Sequence, residues 1–439
     1  MRVDYSSPMM RRLRWIPITI GGATIIGYWI AILSEPRGDF PNHWEIGRRL
    51  LAGEYIYANG LNSVYPPLWA LAHAPLTLVN VHLAQIIGYV LAPLSLAALL
   101  WLLHQLSREH FPLDTGRLFW SSTLAIFLNI SFLSRDLPEI GINTALVSLS
   151  WLAIYLWTRE REIEAGISLG AAAALKCTPL LFVAYFALKR QWKMVLSSTV
   201  AFALFSLAPL LVQGPDLYLR AMNAWTFSVV RGITDADPSR GPLGEEKVEN
   251  IALRPALARY LMHLPYGHLG RPETSDTPGR PNQPPSRYYL QFLDLLPARA
   301  AMVAGLVMGG FLLFVGGLLQ SRVANRRDIA ILYECATVSL LILLYSPITW
   351  KQHCVGALPA VYLICREGFA GRSIKRWVIV AVLIYAVLTE VLSREIVGRD
   401  VVKLADSYRV KTIAIALLTA AALGCRRSWL RQRQAAYLT

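Results

Sequence analysis

Charge is scarce in this 439-residue chain, and so are the motifs that charge usually serves. Charged residues make up 16% of it and hydrophobic ones 55%, a balance that cannot solvate the surface of a water-soluble protein of this size. There is no Walker loop, no dinucleotide-binding glycine pattern and no HExxH pair, so nothing points to a bound nucleotide or a zincin-type metal. The five cysteines, Cys177, Cys335, Cys354, Cys365 and Cys425, lie in or beside apolar segments. Their spacing fits neither zinc nor a disulfide framework.

What is present is a succession of apolar stretches, each long enough for a bilayer-spanning helix, and a mean hydropathy of +0.42. The reading is an all-α polytopic membrane protein, with the whole of 1–439 as one integral-membrane domain. Spans are expected near 15–33, 82–104, 117–134, 140–157, 163–175, 178–188, 193–213, 298–320, 328–346, 353–366, 376–392 and 408–424, which makes about twelve. The first lacks a clear small-residue cleavage site and reads as a retained helix rather than a signal peptide. The apolar stretch 66–80 is expected to dip into the outer leaflet or form a half-helix.

A net charge of +15 would suggest nucleic acid in a soluble protein, but here it is gathered in short loops. Basic clusters at Arg11–Arg14, Arg159 and Arg161, Lys189–Lys193, Arg322–Arg327, Arg366–Arg376 and Arg426–Arg433 fall at alternate turns. They place both termini in the cytoplasm and no nucleic acid among the partners. The opposite face then receives a first loop, 34–67, the turn around Arg135–Asn143, Lys176, a long loop, 213–297, the Ser346–His353 turn and Ser393–Ser407. In the long loop, helices are expected over Tyr218–Val230, lying at the interface, and Val248–Leu264. A proline- and glycine-rich run from Pro265 to Ser286 reads as a lid.

The polar residues on that face are the candidates for chemistry. Asp39 precedes Pro41, which is pre-set for a first helical turn, so a short amphipathic helix should run from there to Gly53. Its carboxylate is either a partner of that helix's positive end or a reactive group. Lys176 ends the apolar helix AGISLGAAAALK and either snorkels to the interface or offers a cation to phosphate. His353, in SPITWKQH beside Trp350 and Lys351, is either structural or a phosphate or hydroxyl partner. Asn143 is explained by helix capping, Tyr65, Trp44 and Tyr57 by an aromatic wall, and Glu334 by helix packing or a proton path.

Asp39-Phe40, then LLAG at Leu50–Gly53, Tyr57 and Tyr65-Pro66-Pro67 together resemble glycosyltransferase family 87, the polyprenyl-phosphate-mannose-dependent mannosyltransferases of GT-C fold. The likeness continues through AAAALKCTPLLF at 171–182 and SPITWKQH at 346–353. Departures are Gln352 where paired histidines are common, Cys177 after the lysine, and Ile140-Gly141-Ile142-Asn143 in place of Gly-Gln-x-Asn.

The resemblance implies a GT-C bundle, Asp39 as catalytic carboxylate and His353 at the donor site. It also implies Lys176 against the donor phosphate, with Trp350, Tyr65 and Asn143 beside the donor. It further implies a polyprenyl-phosphate sugar as donor and a glycan, glycolipid or other extracytoplasmic acceptor, at a cytoplasmic membrane with the active site outside. One base and no second obvious carboxylate suggest inverting displacement, and two cations near the phosphate suggest no cofactor and no obligatory metal. The competing readings are a transporter or flippase of lipid-linked sugars and a non-catalytic lipid-binding member.

Overall fold

The protein is seen in a computed structural model that describes residues 5, 7–58, 64–243, 247–262, 292–321 and 323–438. Among them every regular element is helical. In chain order these are α1 (Pro8–Leu13), α2 (Trp15–Ser34), α3 (Phe40–Leu51), α4 (Leu68–His73), α5 (Val81–Gly88), α6 (Leu91–Ser107) and α7 (Thr115–Phe127). There follow α8 (Ile130–Asp136), α9 (Ile142–Thr158), α10 (Glu162–Leu175), α11 (Leu180–Leu188), α12 (Trp192–Leu207), α13 (Leu210–Gln213), α14 (Pro215–Thr234) and α15 (Leu253–Leu261). The last group is α16 (Pro297–Leu319), α17 (Ile329–Tyr345), α18 (Leu358–Phe369), α19 (Arg376–Ala386), α20 (Arg394–Ser407) and α21 (Val410–Leu438).

Five helical stretches are long and apolar enough to cross a membrane: Pro8–Ser34, Val81–Ser107, Trp192–Gln213, Pro297–Leu319 and Val410–Gln434. Two bent pairs, α7 with α8 at 71° and Arg376–Val391 with α20 at 95°, raise the number to seven if each counts as one span. These outer helices keep large apolar side chains exposed; α2 buries only Ile32 and presents Ile20, Ile26, Trp29 and Ile30 outward. A water-exposed surface would not tolerate such a stripe, whereas lipid does.

Among the described residues, five to seven stretches reach this length, beside the twelve apolar stretches expected from the sequence. The expected spans 163–175 and 178–188 are helices of 14 and 9 residues, and 117–134 is broken at Asn129. α17, at 17 residues, is shorter than the five full-length stretches. It is apolar all round because protein surrounds it, with nearly every residue from Ile329 to Leu344 buried. Hydropathy cannot separate a lipid-facing helix from one at the centre of a bundle.

Around α17 the helices pack closely where side chains are small. α10 lies against α12, and a Cβ at Gly170 would come within 2.7 Å of the Ser198 carbonyl and the Phe202 amide. α4 continues as a 3₁₀ turn to Leu78, so 66–80 is a short helix resting on α3. Within the long loop, the expected helix begins only at Leu253, after the segment Val248–Ala252, which starts as a turn closed by the Asn250 amide on the Lys247 carbonyl. The backbone of that segment is engaged elsewhere: Ile251 N–H donates to the Thr349 carbonyl at 2.8 Å, and Arg409 donates to the Val248 and Asn250 carbonyls. The run Pro265–Ser286 and Arg322 lie outside the described residues.

Glu334 of α17 is a packing group. It accepts from Lys189 Nζ at 2.6 Å, Arg426 Nε at 2.7 Å and the Tyr185 hydroxyl at 2.7 Å, and all three charged side chains are almost wholly buried. Glu334→Ala would strand two buried cations and should destabilise the protein by about 3–5 kcal/mol. Thermal melting in detergent checks this. Glu334→Gln, which keeps hydrogen-bonding atoms but not the charge, should fall between the two.

Candidate active site

Two turns far apart in sequence are fastened to one another. Near the start of the first loop, Asp39 occupies the N-cap position of α3, yet its side chain makes no capping bond. Its carbonyl accepts the amides of Asn42 and His43, so the helix start is held by backbone while the carboxylate stays free. The amide of Asp39 donates to both carboxylate oxygens of Glu139, at 2.9 and 3.1 Å. Gln85 of α5 completes the clamp: its amide nitrogen donates to the Arg37 and Pro138 carbonyls, and its oxygen accepts the Arg37 amide. Gly38 lies at φ +68°, and a Cβ there would sit 2.4 Å from Glu139 Oε1.

The turn that carries Glu139 also organises the next helix. Ile140 and Gly141 take positive φ, and the buried carboxylate of Asp136 receives the amides of Asn143 and Thr144 together with both their side chains. Asp136 therefore caps α9. Asn143, expected as the cap, is instead the intermediary, because its Oδ1 accepts Lys176 Nζ at 3.3 Å. Lys176 stands at the turn after α10, its ammonium 5.7 Å from the Tyr65 ring centre. Tyr65 stacks on Trp69 at 4.2 Å, and His43 meets both rings edge-on.

The third contributor is the SPITWKQH turn. Asn250 holds it by accepting the Thr349 amide at 2.9 Å and donating to the Pro347 carbonyl. His353 Nδ1 accepts the Trp350 amide at 3.1 Å, which assigns the ring proton to Nε2. Nε2 is buried, makes no hydrogen bond among the described residues, and has the Ile348 carbonyl as its polar neighbour.

Asp39, Tyr65, Lys176, Trp350 and His353 all line one cavity of about 530 Å³, with Arg135, Glu249 and Lys351 at its wall. Asn143 lines an adjoining recess beside Lys176 rather than the cavity itself. Burial raises the Asp39 carboxyl above the ordinary carboxylate range. It lifts Glu139 to about 8, opposed by the Asp39 amide and reinforced by the charges of Asp39 and Asp136. Burial also lowers Lys176 to about 8, and holds His73 down at about 4. His43 is pushed down by burial and then by His73 and Lys176.

The arrangement can take a proton at Asp39, receive an anion at Lys176 and donate a hydrogen bond from His353. Among the described residues no group of three or more His, Cys, Asp or Glu could hold a metal ion. Glu139, Asp136 and Gln85 are not evident from sequence. The signal available was a pair of acids within DLPEIG, a turn that follows an apolar helix.

The chain matches glycosyltransferase family 87 over residues 64–347. It is 24% identical over 393 residues to a polyprenol-phosphate-mannose-dependent alpha-(1-2)-phosphatidylinositol mannoside mannosyltransferase of Mycobacterium tuberculosis, covering 84% of this chain and 81% of that one. The protein of the same name from Mycolicibacterium smegmatis is 24% identical over 376 residues, covering 81% and 76%. Among solved structures, ArnT from Cupriavidus metallidurans bound to undecaprenyl phosphate aligns at a TM-score of 0.40 and 13% identity, covering 93% of this chain and 77% of that one.

The clamp on Asp39 can be tested against a glycine of the same conformation. Gly53 has φ +67° but open space around it, so Gly53→Ala should incur only the left-handed strain of about 1–2 kcal/mol. Gly38→Ala adds a collision with Glu139, about a further 1–3 kcal/mol. Melting of the two variants should show the larger loss at Gly38.

Proposed function

The chain belongs to glycosyltransferase family 87, and from that we propose that it moves a hexose, mannose by analogy with its named relatives, from a polyprenyl phosphate to an extracytoplasmic acceptor. The observation that carries this reading is that Asp39 and Lys176 line the same cavity, which offers a base and a cation at one place. In this proposal the helical bundle is of GT-C type, sits in the cytoplasmic membrane with both termini inside, and opens its cavity to the outer side. The acceptor is a glycan, glycolipid or similar hydroxyl compound. Acceptor choice rests with the long loop 213–297.

The reaction is a single displacement. Asp39 takes the proton of the acceptor hydroxyl as its oxygen attacks the anomeric carbon, and the bond from that carbon to the phosphate oxygen breaks. The departing polyprenyl phosphate gains one negative charge, which Lys176 and the Nε2–H of His353 stabilise. Trp350 and Tyr65 flank the sugar, and Asn143 steadies Lys176. The side chain of Glu139 is buried and turned to the Asp39 amide, outside the residues lining the cavity, and Glu249 at the cavity wall is assigned no covalent role; with Asp39 as base, inversion is the expected outcome. No residue is assigned to a metal.

Membranes carrying the protein, supplied with labelled polyprenyl-phosphate hexose and acceptor lipids, provide the test. Asp39→Asn should lower transfer by a factor of about 10²–10⁴, the usual weight of a general base. Transfer at the normal rate would remove Asp39 from that role. Lys176→Ala and His353→Ala should weaken donor binding; unchanged affinity in both would remove them from the phosphate.

The rate should also depend on pH in a bell. It rises as Asp39 loses its proton, above the ordinary carboxylate range, because the base must be ionised. It falls around pH 8 as Lys176 loses its charge. Lys176→Arg should move the alkaline limb upward and leave the acid limb in place.

A further inference from the structure

A groove of about 690 Å³, larger than the cavity at Asp39, runs between α7 and α19 and is floored by Ile364, Cys365 and Gly368 of α18. It shares no lining residue with the cavity at Asp39. α18 leads away from the His353 turn to Phe369, and α7 leads into α8 and so toward Asp136. Phe369 and the start of α7 therefore share the end of the bundle that is turned from the active site.

Leu124 and Leu128 of α7 and Ile379, Val382 and Leu383 of α19 form the walls, and Leu124, Ile379 and Leu383 are also exposed on the outside of the bundle. The groove thus opens sideways to lipid. α7 rests on α18 and α19 on α21, while beyond the groove the two helices are tied together: the Tyr385 hydroxyl donates to Asn129 Oδ1 at 2.7 Å, and Glu390 accepts the Ser131 amide and hydroxyl. From Arg117 to Leu128 the helix rises about 16 Å, about half of a hydrocarbon core of roughly 30 Å. The trough is one leaflet deep.

Polar groups gather at one end of it. Tyr5 and Arg117 line that end, and the Tyr5 ring meets Phe369 at 5.3 Å. Arg14 stands beside them, since a Cβ on Gly116 would lie 2.9 Å from its Nη2 and 2.7 Å from the Tyr5 carbonyl. The Arg14 guanidinium stacks on Phe119, reaches the Tyr5 carbonyl at 3.5 Å, and keeps a buried Nε with no hydrogen-bond partner among the described residues. Arg117 has Asp114 at 3.4 Å, but both side chains are about half exposed and such a pair is weak. Glu367 is turned to the Tyr333 hydroxyl. The turn after Gly371 adds Arg372, Lys375 and Arg376, all exposed and none in an ion pair among the described residues. Cations outweigh acids at this rim.

We propose that the groove binds one anionic glycerophospholipid of the leaflet at that end, with an acyl chain between α7 and α19 and the phosphate between Arg14 and Arg117. Apolar depth, then aromatic rings, then unspent guanidinium bonds follow the order of chain, ester and phosphate in such a lipid, and basic pockets between membrane helices hold anionic headgroups for this reason. A zwitterionic lipid would bring its own cation to the same rim. The bound lipid fills the gap where α7 and α19 part, and it is neither the sugar donor nor the acceptor.

The experiment uses the full chain in phosphatidylcholine nanodiscs with a trace of phosphatidylglycerol that carries a diazirine in one acyl chain; after illumination, digestion and mass spectrometry locate the adducts. Adducts should concentrate on α7, α18 and α19 at the groove, and unlabelled phosphatidylglycerol should compete them away where phosphatidylcholine does not. Each of Arg14→Gln and Arg117→Gln should lower groove labelling about fivefold, the weight of one basic side chain at an anionic headgroup. Gly368→Leu, whose Cβ meets only Ile374 Cδ1 at 3.4 Å, should fill the floor and abolish it. Arg399→Gln, which removes an exposed cation from α20, should leave it unchanged, as should all variants the labelling of the open faces of α2 and α16. If Arg14→Gln does not fold, Arg117→Gln on its half-exposed side chain reads the same loss. Labelling spread evenly over every lipid-facing helix, or groove labelling that ignores Arg117→Gln and Gly368→Leu, overturns the proposal. So does competition by undecaprenyl phosphate and not by phosphatidylglycerol, which would make the groove a seat for a polyprenyl chain.

Discussion

The cavity at Asp39 depends on the turn from Asp136 to Thr144, in which two buried carboxyl groups are each satisfied by backbone amides. Asp136 receives those of Asn143 and Thr144, and Glu139 receives that of Asp39. Buried carboxylates are costly without such partners, and an amide offered by a distant loop can be held only if that loop is fixed in place. The hydrogen bonds that satisfy Glu139 thus also hold Asp39 in position. The same turn, through Asn143, positions Lys176. One nine-residue stretch fixes the separation between a carboxylate and an ammonium that are 137 residues apart in the chain.

The charges facing the cavity are left incomplete by design of the packing around them. Lys176 has a neutral amide and an aromatic face for neighbours, not a carboxylate. Asp39 uses its backbone, rather than its side chain, to start α3. His353 spends Nδ1 on the Trp350 amide and keeps Nε2. Where such groups are buried, as at His353, each exerts a stronger field than it would in water, and none of the three has to be released from an ion-pair partner before it acts. Pre-organisation here consists of backbone contacts that hold the side chains without using up their reactive atoms.

Much of this was legible from the chain, for reasons that differ by residue. Pro41 and Gly53 marked the ends of α3 because each restricts φ in a way that propensity alone can read. Asp39, Lys176 and His353 stood out because ionisable groups are rare in an apolar sequence. Glu139 did not, since its partner lies 100 residues away and its own neighbours suggest only a turn. The surroundings of α17 were not legible for a different reason: a helix surrounded by protein and a helix surrounded by lipid have the same composition. Val248–Ala252 was misread as the start of α15 because partners that take its backbone groups, Thr349 and Arg409, come from the far end of the chain.

The same sequence holds a counter-example that sharpens the distinction between structural and reactive charge. Glu334 lies deeper in the bundle than Asp39, is more thoroughly buried, and would rank higher on rarity alone. Yet its oxygens are shared among Lys189, Arg426 and Tyr185, and Lys189 in turn donates to the Ser321 carbonyl. Such a cluster is closed: an incoming substrate could engage it only by displacing a partner already desolvated, at a cost of several kcal/mol. Asp39, Lys176, His353 and Lys351 present the opposite condition, each half-satisfied and each facing a common cavity. Burial does not separate the two sets; unspent bonding capacity does, and it is concentrated at the cavity beside Asp39.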